Sequence, residues 1–189
     1  MVLHRHILIL LLLLLSHNLY GAGKVVRQSQ PAQVVRGTEK LLTEVNTSVK
    51  MLDAIETLNG TINIVFEDDT KVSLSKYSKL VVDEYVYDSN KNVGKVSLKG
   101  RLGTLRYTSG KIAKNNRKNV KITSPTASVS VRGTDFTMTV EATGKTTFQL
   151  LPSIDANGNS YTGSIAVSNS SGVVVLNQAF EVTRVENNL

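Results

Sequence analysis

The 189-residue sequence contains no cysteine and no tryptophan, and its three histidines, His4, His6 and His17, all lie close to the N-terminus. The rest of the chain therefore lacks the residues for Ser-His or Cys-His nucleophilic catalysis and for thiol redox chemistry. It also lacks the imidazole and thiolate ligands of zinc, copper and haem sites. Without disulfides the fold must be stabilised by its hydrophobic core, which a chain of this length can supply as one domain. We expect no cofactor, no metal site and no catalytic residues.

Aromatic residues make up only 5% of the sequence. This low content bears on glycoside hydrolysis, an activity that the missing histidine and cysteine do not exclude. A glycoside hydrolase needs only two carboxylates at a suitable separation. A stacking platform for sugar rings is lacking, however, because tryptophan is absent and other aromatic residues are few. We therefore expect a protein that is not an enzyme.

The N-terminal residues follow the order of a signal peptide. Arg5 precedes an unbroken apolar run at 7–15, and Gly21, Ala22 and Gly23 supply the small side chains of a cleavage site. The run is about half of the roughly 20 residues that a transmembrane helix needs. We expect residues 1–23 to be removed near Gly23, which leaves an exported chain in the periplasm or outside the cell. An uncleaved N-terminal anchor is the alternative, whereas a lipid anchor is excluded because no cysteine follows the run.

Acidic residues are absent between Asp88 and Asp135, although the whole chain carries a net charge of +7. This segment holds a series of basic residues: Lys91, Lys95, Lys99, Arg101, Arg106, Lys111, Lys114, Arg117, Lys118 and Lys121. In an exported protein such an excess favours anionic glycan, lipid headgroups or an acidic protein surface as the partner, rather than nucleic acid. Solvated strand edges protected by lysine are the alternative interpretation.

The candidate residues for binding an acidic partner are Lys111, Lys114, Arg117 and Lys118. We expect them to extend the positive charge along a loop. Strand alternation predicts that Lys95, Lys99 and Arg101 face solvent while Val96, Leu98 and Leu102 pack inward.

Hydrophobic residues alternate with polar ones along most of the chain after the apolar run. Ile62, Ile64 and Phe66 are one such set, and Val129 and Val131 are another. Short alternating runs separated by turn-forming clusters indicate an all-β sandwich, barrel or β-helix. Only residues 39–52 compete as a helix, because their leucines and valines share a helical face.

Two tetrapeptides occur twice. Lys-Val-Ser-Leu at 71–74 recurs at 95–98, and Val-Arg-Gly-Thr at 35–38 recurs at 131–134. A spacing of 24 residues would suit the coils of a β-helix.

Residues 35–151 resemble the FecR domain family. The first half of the resemblance lies at 53–57, 61–70, 72–74 and 78–80, and the second at 103–107, 109–111, 123–127 and 131–136. Its most specific residues are Pro125, Arg132, Gly133, Thr134, Asp135 and Phe136.

These motif residues have the chemistry of a structural framework. Gly133 allows a bend with positive φ, and Thr134 and Asp135 can bond backbone donors exposed at that bend. Phe136 resumes the buried face, and Pro125 marks a strand start. Arg132 is expected to pair with Asp135 or another carboxylate, or to contact a partner.

The sequence departs from the family at one hairpin. Asp68-Asp69 stands where Asp-Gly is common, so a residue with a Cβ occupies a position that glycine favours. Glu67, Asp68 and Asp69 could hold a calcium ion, but their spacing lacks a calcium-loop pattern. We expect a solvated turn.

The resemblance implies a β-helix-like or sandwich-like FecR domain at 24–152, and the remaining residues, 153–189, predict an appended β-hairpin. FecR proteins of iron-uptake regulation carry a cytoplasmic anti-sigma segment, one transmembrane helix and a periplasmic sensing domain. We expect this chain to represent only the exported part, a binding module of the cell envelope for a protein or an anionic glycan. A structural component of an extracellular assembly, such as a phage virion or surface protein, is the alternative, and the oligomeric state is left open.

Overall fold

A computed structural model describes residues 21–155 and 157–186. The proposed signal peptide, apart from its last three residues, lies outside the described residues. Strands make up most of the described chain and helix is almost absent, which confirms the predicted all-β class. Its strands are β1 (Gly23–Gln28), β2 (Gln33–Arg36), β3 (Glu39–Leu42), β4 (Ser48–Val49), β5 (Ala54–Glu56), β6 (Ile62–Phe66), β7 (Lys71–Leu74), β8 (Lys79–Asp88), β9 (Val93–Thr108), β10 (Val120–Thr123), β11 (Ser128–Arg132), β12 (Asp135–Val140), β13 (Thr146–Leu151), β14 (Ser153–Ile154), β15 (Ser160–Tyr161), β16 (Ser164–Asn169), β17 (Gly172–Leu176) and β18 (Val182–Val185).

Helical structure is confined to a short connection in the described part of the chain. It consists of α1 (Lys111–Asn115) and a 3₁₀ turn (Arg117–Asn119) between β9 and β10. Neither has the length or the apolar character to span a bilayer. The segment 111–118, predicted as a loop, is therefore helical.

The long strand β9 belongs to two groups of strands. Its first part, 93–102, pairs antiparallel with β8 and parallel with β10. Its second part, 103–108, pairs antiparallel with β7 and β12. The first group continues through β11, β16 and β17 on one side and through β5, β2 and β3 on the other. The second continues through β6, β1 and β4, and through β13 and β18.

The change of group occurs at Gly103, which has a φ of +75°. Val96 and Leu98 are buried before the bend, and Leu105 and Tyr107 are buried after it. The alternation is interrupted just before this position by a β-bulge, because Leu80 pairs with Gly100 and the adjacent Lys79 pairs with Leu102. Leu102 is 41% exposed, and its predicted inward position is wrong. A Cβ on Gly103 would lie 2.3 Å from Ser78 Oγ and 2.6 Å from Ser78 Cα.

Both groups contribute to one hydrophobic core. The predicted inward residues Ile62, Ile64 and Phe66 are buried, and Phe66 packs against Tyr85 of β8 with ring centroids 5.3 Å apart. The two Lys-Val-Ser-Leu segments do not pair with each other, because 71–74 pairs with 105–108 while 95–98 pairs with β8 and β10. The 24-residue spacing therefore does not mark stacked coils.

Residues 39–52 form β3 and β4 rather than a helix. Asn46 and Leu52 both have positive φ, which is incompatible with a continuous right-handed helix. The leucines of the supposed helical face are exposed, with Leu42 at 68% and Leu52 at 65%. Because the backbone turns at these two residues, their side chains never share a buried stripe.

The predicted C-terminal hairpin is present as β16 and β17, with β18 as the third strand. Strand β16 pairs with β11, and β18 pairs with β13. Strands β16 and β17 thus extend the first group, and β18 extends the second. The domain boundary at 153 stays a prediction.

Asp68 links the β6–β7 hairpin to α1. It is fully buried, so the prediction of a solvated turn is wrong for this residue. Its carboxylate accepts hydrogen bonds from the Tyr85 hydroxyl at 3.2 Å, the Thr70 hydroxyl at 2.8 Å and the Ile112 N–H at 3.2 Å. The Asp68 carbonyl accepts from Lys111 N–H at 2.7 Å, which fixes the start of α1.

The neighbouring Asp69 occupies the strained position of the turn, with a φ of +65°. This agrees with the expectation that glycine is favoured there. The carboxylate of Asp69 points away from the core and forms an ion pair with Lys111 at 2.9 Å.

Replacing Gly103 by alanine should destabilise the protein strongly. The substitution combines the cost of a Cβ at positive φ with a backbone clash, and we expect a loss of about 3 kcal/mol or more. Gly37→Ala is the matched control, because Gly37 has a φ of +61° but no atom within 4 Å of a built Cβ. Its cost should be about 1 kcal/mol in urea unfolding. Equal losses for the two variants would show that the close approach to Ser78 is unimportant.

Asp68→Asn should destabilise the protein by about 2 kcal/mol, because an amide cannot accept hydrogen bonds at both ends in place of the carboxylate. Asp69→Asn is the control. It removes one exposed ion pair and tolerates positive φ, so it should change stability much less. Thermal unfolding of both variants measures the difference, and similar melting temperatures would contradict the structural role of Asp68.

Candidate functional site

Many basic residues of the acid-free segment are neutralised by acids from other strands. Lys95 pairs with Glu84 at 2.9 Å, and Lys99 donates a hydrogen bond to Asp83, which lowers the pKa of that carboxyl. Within the candidate set, Lys111 is engaged by Asp69. Part of the positive charge of this sequence segment is therefore neutralised by acidic side chains that lie close to it in the structure.

Three of the four candidate residues remain without an ion pair in the described part of the chain. Lys114 lies on α1, and Arg117 and Lys118 lie on the 3₁₀ turn; all three are exposed. Arg132, at the end of β11, lies beside them. It lines one surface hollow together with Lys114 and Arg117, and a second together with Arg117 and Lys118. We call Lys114, Arg117, Lys118 and Arg132 the basic rim.

Local interactions hold the basic rim in place. Ile112 and Ala113 form the buried face of α1, so the helix presents Lys114 to solvent. The side chain of Asn116 accepts a hydrogen bond from Lys118 N–H at 3.1 Å, which caps the 3₁₀ turn. Strand β10 then continues parallel to β9.

Two adjoining hollows lie along the basic rim. One, of about 500 Å³, is lined by the end of α1 together with Arg117, Arg132 and Gly133. The other, of about 390 Å³, is lined by all of the rim except Lys114, and its apolar residues are Val131, Ile165, Ala166 and Val175. No acidic residue lines either hollow. Val131 and Ile165 are themselves buried in the core, so Ala166 and Val175 provide the accessible apolar side chains. The surface therefore combines positive charge with a small apolar floor.

Arg132 differs from its counterpart in the repeated Val-Arg-Gly-Thr tetrapeptide. Arg36 makes two hydrogen bonds, 2.8 and 2.7 Å, to the fully buried Asp53, and this partner raises the pKa of Arg36. Gly37 and Gly133 both have positive φ. In the described residues Arg132 has no ion-pair partner, so its guanidinium is available at the rim.

The predicted pairing of Arg132 with Asp135 is wrong. Asp135 instead accepts two hydrogen bonds from Arg106, at 2.9 and 2.6 Å, which raises the pKa of Arg106. The reason is register, since Asp135 opens β12 next to the second part of β9, whereas Arg132 ends β11 in the first group. The Asp135 carboxylate therefore binds a side chain rather than the backbone donors expected at the bend.

The other motif residues form the framework. Gly133 has a φ of +55°, which confirms the predicted bend, and Phe136 is buried against Tyr107 with centroids 5.5 Å apart. Thr134 is buried, and its N–H donates to the Ser109 hydroxyl at 3.1 Å. Pro125 lies in the bend between β10 and β11, shortly before β11 begins rather than at its first residue.

Sequence reasoning missed the contribution of residues 163–175. A Cβ on Gly163 would lie 2.2 Å from the carbonyl oxygen of Gly133, so glycine permits the close approach of the two bends. Ala166 and Val175 reach the rim only because β16 pairs with both β11 and β17. Such long-range pairing has no signal in local alternation.

The acidic turn does not form a metal site. Asp68 faces the core and Asp69 binds Lys111, so their carboxylates diverge. Nor do His, Asp and Glu side chains elsewhere in residues 21–155 and 157–186 gather into a group of three that could hold a metal ion. The expectation that no metal or cofactor is needed stays a prediction.

Comparison with known proteins identifies the family to which this sequence belongs. Among solved structures, a "putative anti-sigma factor" from Parabacteroides distasonis is similar to this chain at 13% sequence identity and a TM-score of 0.46. The similarity covers 71% of this chain and 60% of that one. No curated protein matches. Residues 53–151, more than half of the sequence, match the family described as FecR protein. The chain belongs to the FecR protein family.

Proposed function

We propose that this protein is an exported, non-enzymatic module of the cell envelope that docks an acidic protein segment at the basic rim. The observation that carries the proposal is that the four rim side chains line adjoining hollows with no acid among the lining residues. Elsewhere in the same sequence segment, Lys95, Lys99 and Arg106 are paired with carboxylates from neighbouring strands. Arg101 and Lys121 also have no ion pair among the described residues, but neither lines these hollows.

The chemistry of the rim favours a protein partner. The guanidinium groups of Arg117 and Arg132 can each bind a carboxylate with two parallel hydrogen bonds. The apolar floor that remains accessible, Ala166 and Val175, suits an apolar side chain adjacent to the acid. An anionic glycan would use the charges but would leave this floor uncovered.

The absence of an enzymatic role is supported by the state of the buried acids. Asp53 is bound by Arg36, Asp135 by Arg106, and Asp68 by hydroxyl and backbone donors. Each is occupied by a partner that stabilises the fold. None is left to act as a general acid or base in a cleft.

Export rests on the N-terminal pattern and accords with the sensing role of FecR proteins in the envelope. We expect the mature protein to begin close to Lys24 and to be soluble. N-terminal sequencing of the exported protein tests this. Recovery of Met1 in a membrane fraction would show instead that the N-terminal segment is an anchor.

Neutralising the rim should weaken binding to acidic ligands. We expect a variant with Lys114→Gln, Arg117→Gln, Lys118→Gln and Arg132→Gln to elute from immobilised polyglutamate at lower salt than the parent, with nearly unchanged stability. Such binding should also weaken as added salt shortens the Debye length from about 10 Å at 0.1 M to about 3 Å at 1 M. A heparin column run in parallel distinguishes the partner classes, because retention on heparin alone would favour a glycan.

The control removes the same charge from other surfaces. Arg27, Lys40, Lys76 and Arg101 are exposed and lie outside the rim, so their joint replacement by glutamine gives the same net charge. This control should elute with the parent. If both quadruple variants shift equally, retention follows net charge and the rim is not a docking site.

A further inference from the structure

Among residues 21–155 and 157–186, four strands of the large sheet have a free edge, and one of them is unprotected. Strands β3, β4, β17 and β18 each pair with a single neighbour. Strand β3 carries Glu39 and Lys40, β18 carries Arg184, and β4 is only two residues long. Charge and shortness are the usual means by which proteins prevent edge-to-edge pairing.

Strand β17 has neither protection. It is five residues long, and no charged residue occurs anywhere between Ser164 and Phe180. Its three valines are exposed, with Val173 at 64%, Val174 at 49% and Val175 at 58%. Alternate residues of such a strand direct their N–H and C=O groups away from β16, where a further strand can bond them.

The three central valines of β17 are symmetric about Val174, although the strand begins with Gly172 and ends with Leu176. In an antiparallel pair of two identical strands related by a twofold axis at Val174, Val173 of one copy faces Val175 of the other, and the two Val174 side chains face each other. Valine pairs suit a pleated sheet. The open donors of each strand then meet the open acceptors of the other.

The absence of charge on this strand is compatible with a second copy as the occupant. Two copies of a chain with a net charge of +7 repel each other over most of their surfaces. The β16–β17 hairpin itself carries no charge, so direct contact between the strands brings no like charges face to face, although Arg117, Lys118 and Arg132 of the basic rim share a hollow with Val175. A twofold contact of this kind closes on itself and ends at a dimer.

We propose that two copies of this protein associate through antiparallel pairing of their β17 strands, which joins the first strand group of each copy into one continuous sheet. The contact is smaller than the roughly 1,200 Å² of a stable interface, so the dimer is reversible with a dissociation constant in the micromolar range. This inference does not depend on the docking function of the basic rim.

Val174 is the position for the test, because Val175 also lines a rim hollow whereas Val174 does not. Sedimentation velocity of the purified protein should show dimers at about 100 μM, a concentration above micromolar dissociation constants. Val174→Lys and Val174→Asp each place like charges opposite one another and should raise the dissociation constant at least about tenfold. An equimolar mixture of the two variants should restore the dimer, because lysine then faces aspartate.

The control is Leu42→Lys on the edge strand β3, where the leucine is 68% exposed. It adds the same charge and should leave the dimer intact. Thermal unfolding of each variant verifies that the hairpin is folded. A parent protein that stays monomeric, a Val174→Lys variant that still dimerises, or a mixture that fails to associate would each overturn the proposal. A monomeric parent that binds immobilised polyglutamate would leave the rim function standing and refute only the self-association.

Discussion

The fold depends on the bend of β9 at Gly103. Because one continuous strand pairs with β8 and β10 before the bend and with β7 and β12 after it, the two groups of strands are joined covalently as well as by hydrogen bonds. The backbone of residues 77 and 78 lies against Gly103 without room for a side chain. This contact sets the relation between the two groups and, through them, the position of the connection that carries α1.

Regular alternation made much of the fold predictable. The buried faces of β6, β7 and β11 follow directly from alternate hydrophobic residues, and the C-terminal hairpin follows from two such runs around a polar turn. The failures lie where one residue interrupts the period. Leu102 is exposed because a β-bulge between Gly100 and Leu102 interrupts the alternation, and residues 39–52 are not helical because Asn46 and Leu52 turn the chain.

The candidate site was predictable only in part, because charge along a sequence differs from charge in space. Lys114, Arg117 and Lys118 are exposed as expected, but Lys111 is paired with the acid of a distant hairpin. Arg132 entered the sequence reasoning as a framework residue and lies at the rim, since Arg106 takes the carboxylate expected for it. Pairings between residues far apart in sequence decide these outcomes, and no local pattern encodes them.

Because β11 pairs with β16, the candidate site is built from two parts of the chain. The family-matched region, 53–151, supplies all four rim residues, while the accessible part of the apolar floor, Ala166 and Val175, comes from beyond it. Substitutions at these two positions change the apolar surface beside the rim without touching the ion pair of Arg106 and Asp135. The apolar part of the proposed docking site can thus vary while the framework that holds the charges stays the same.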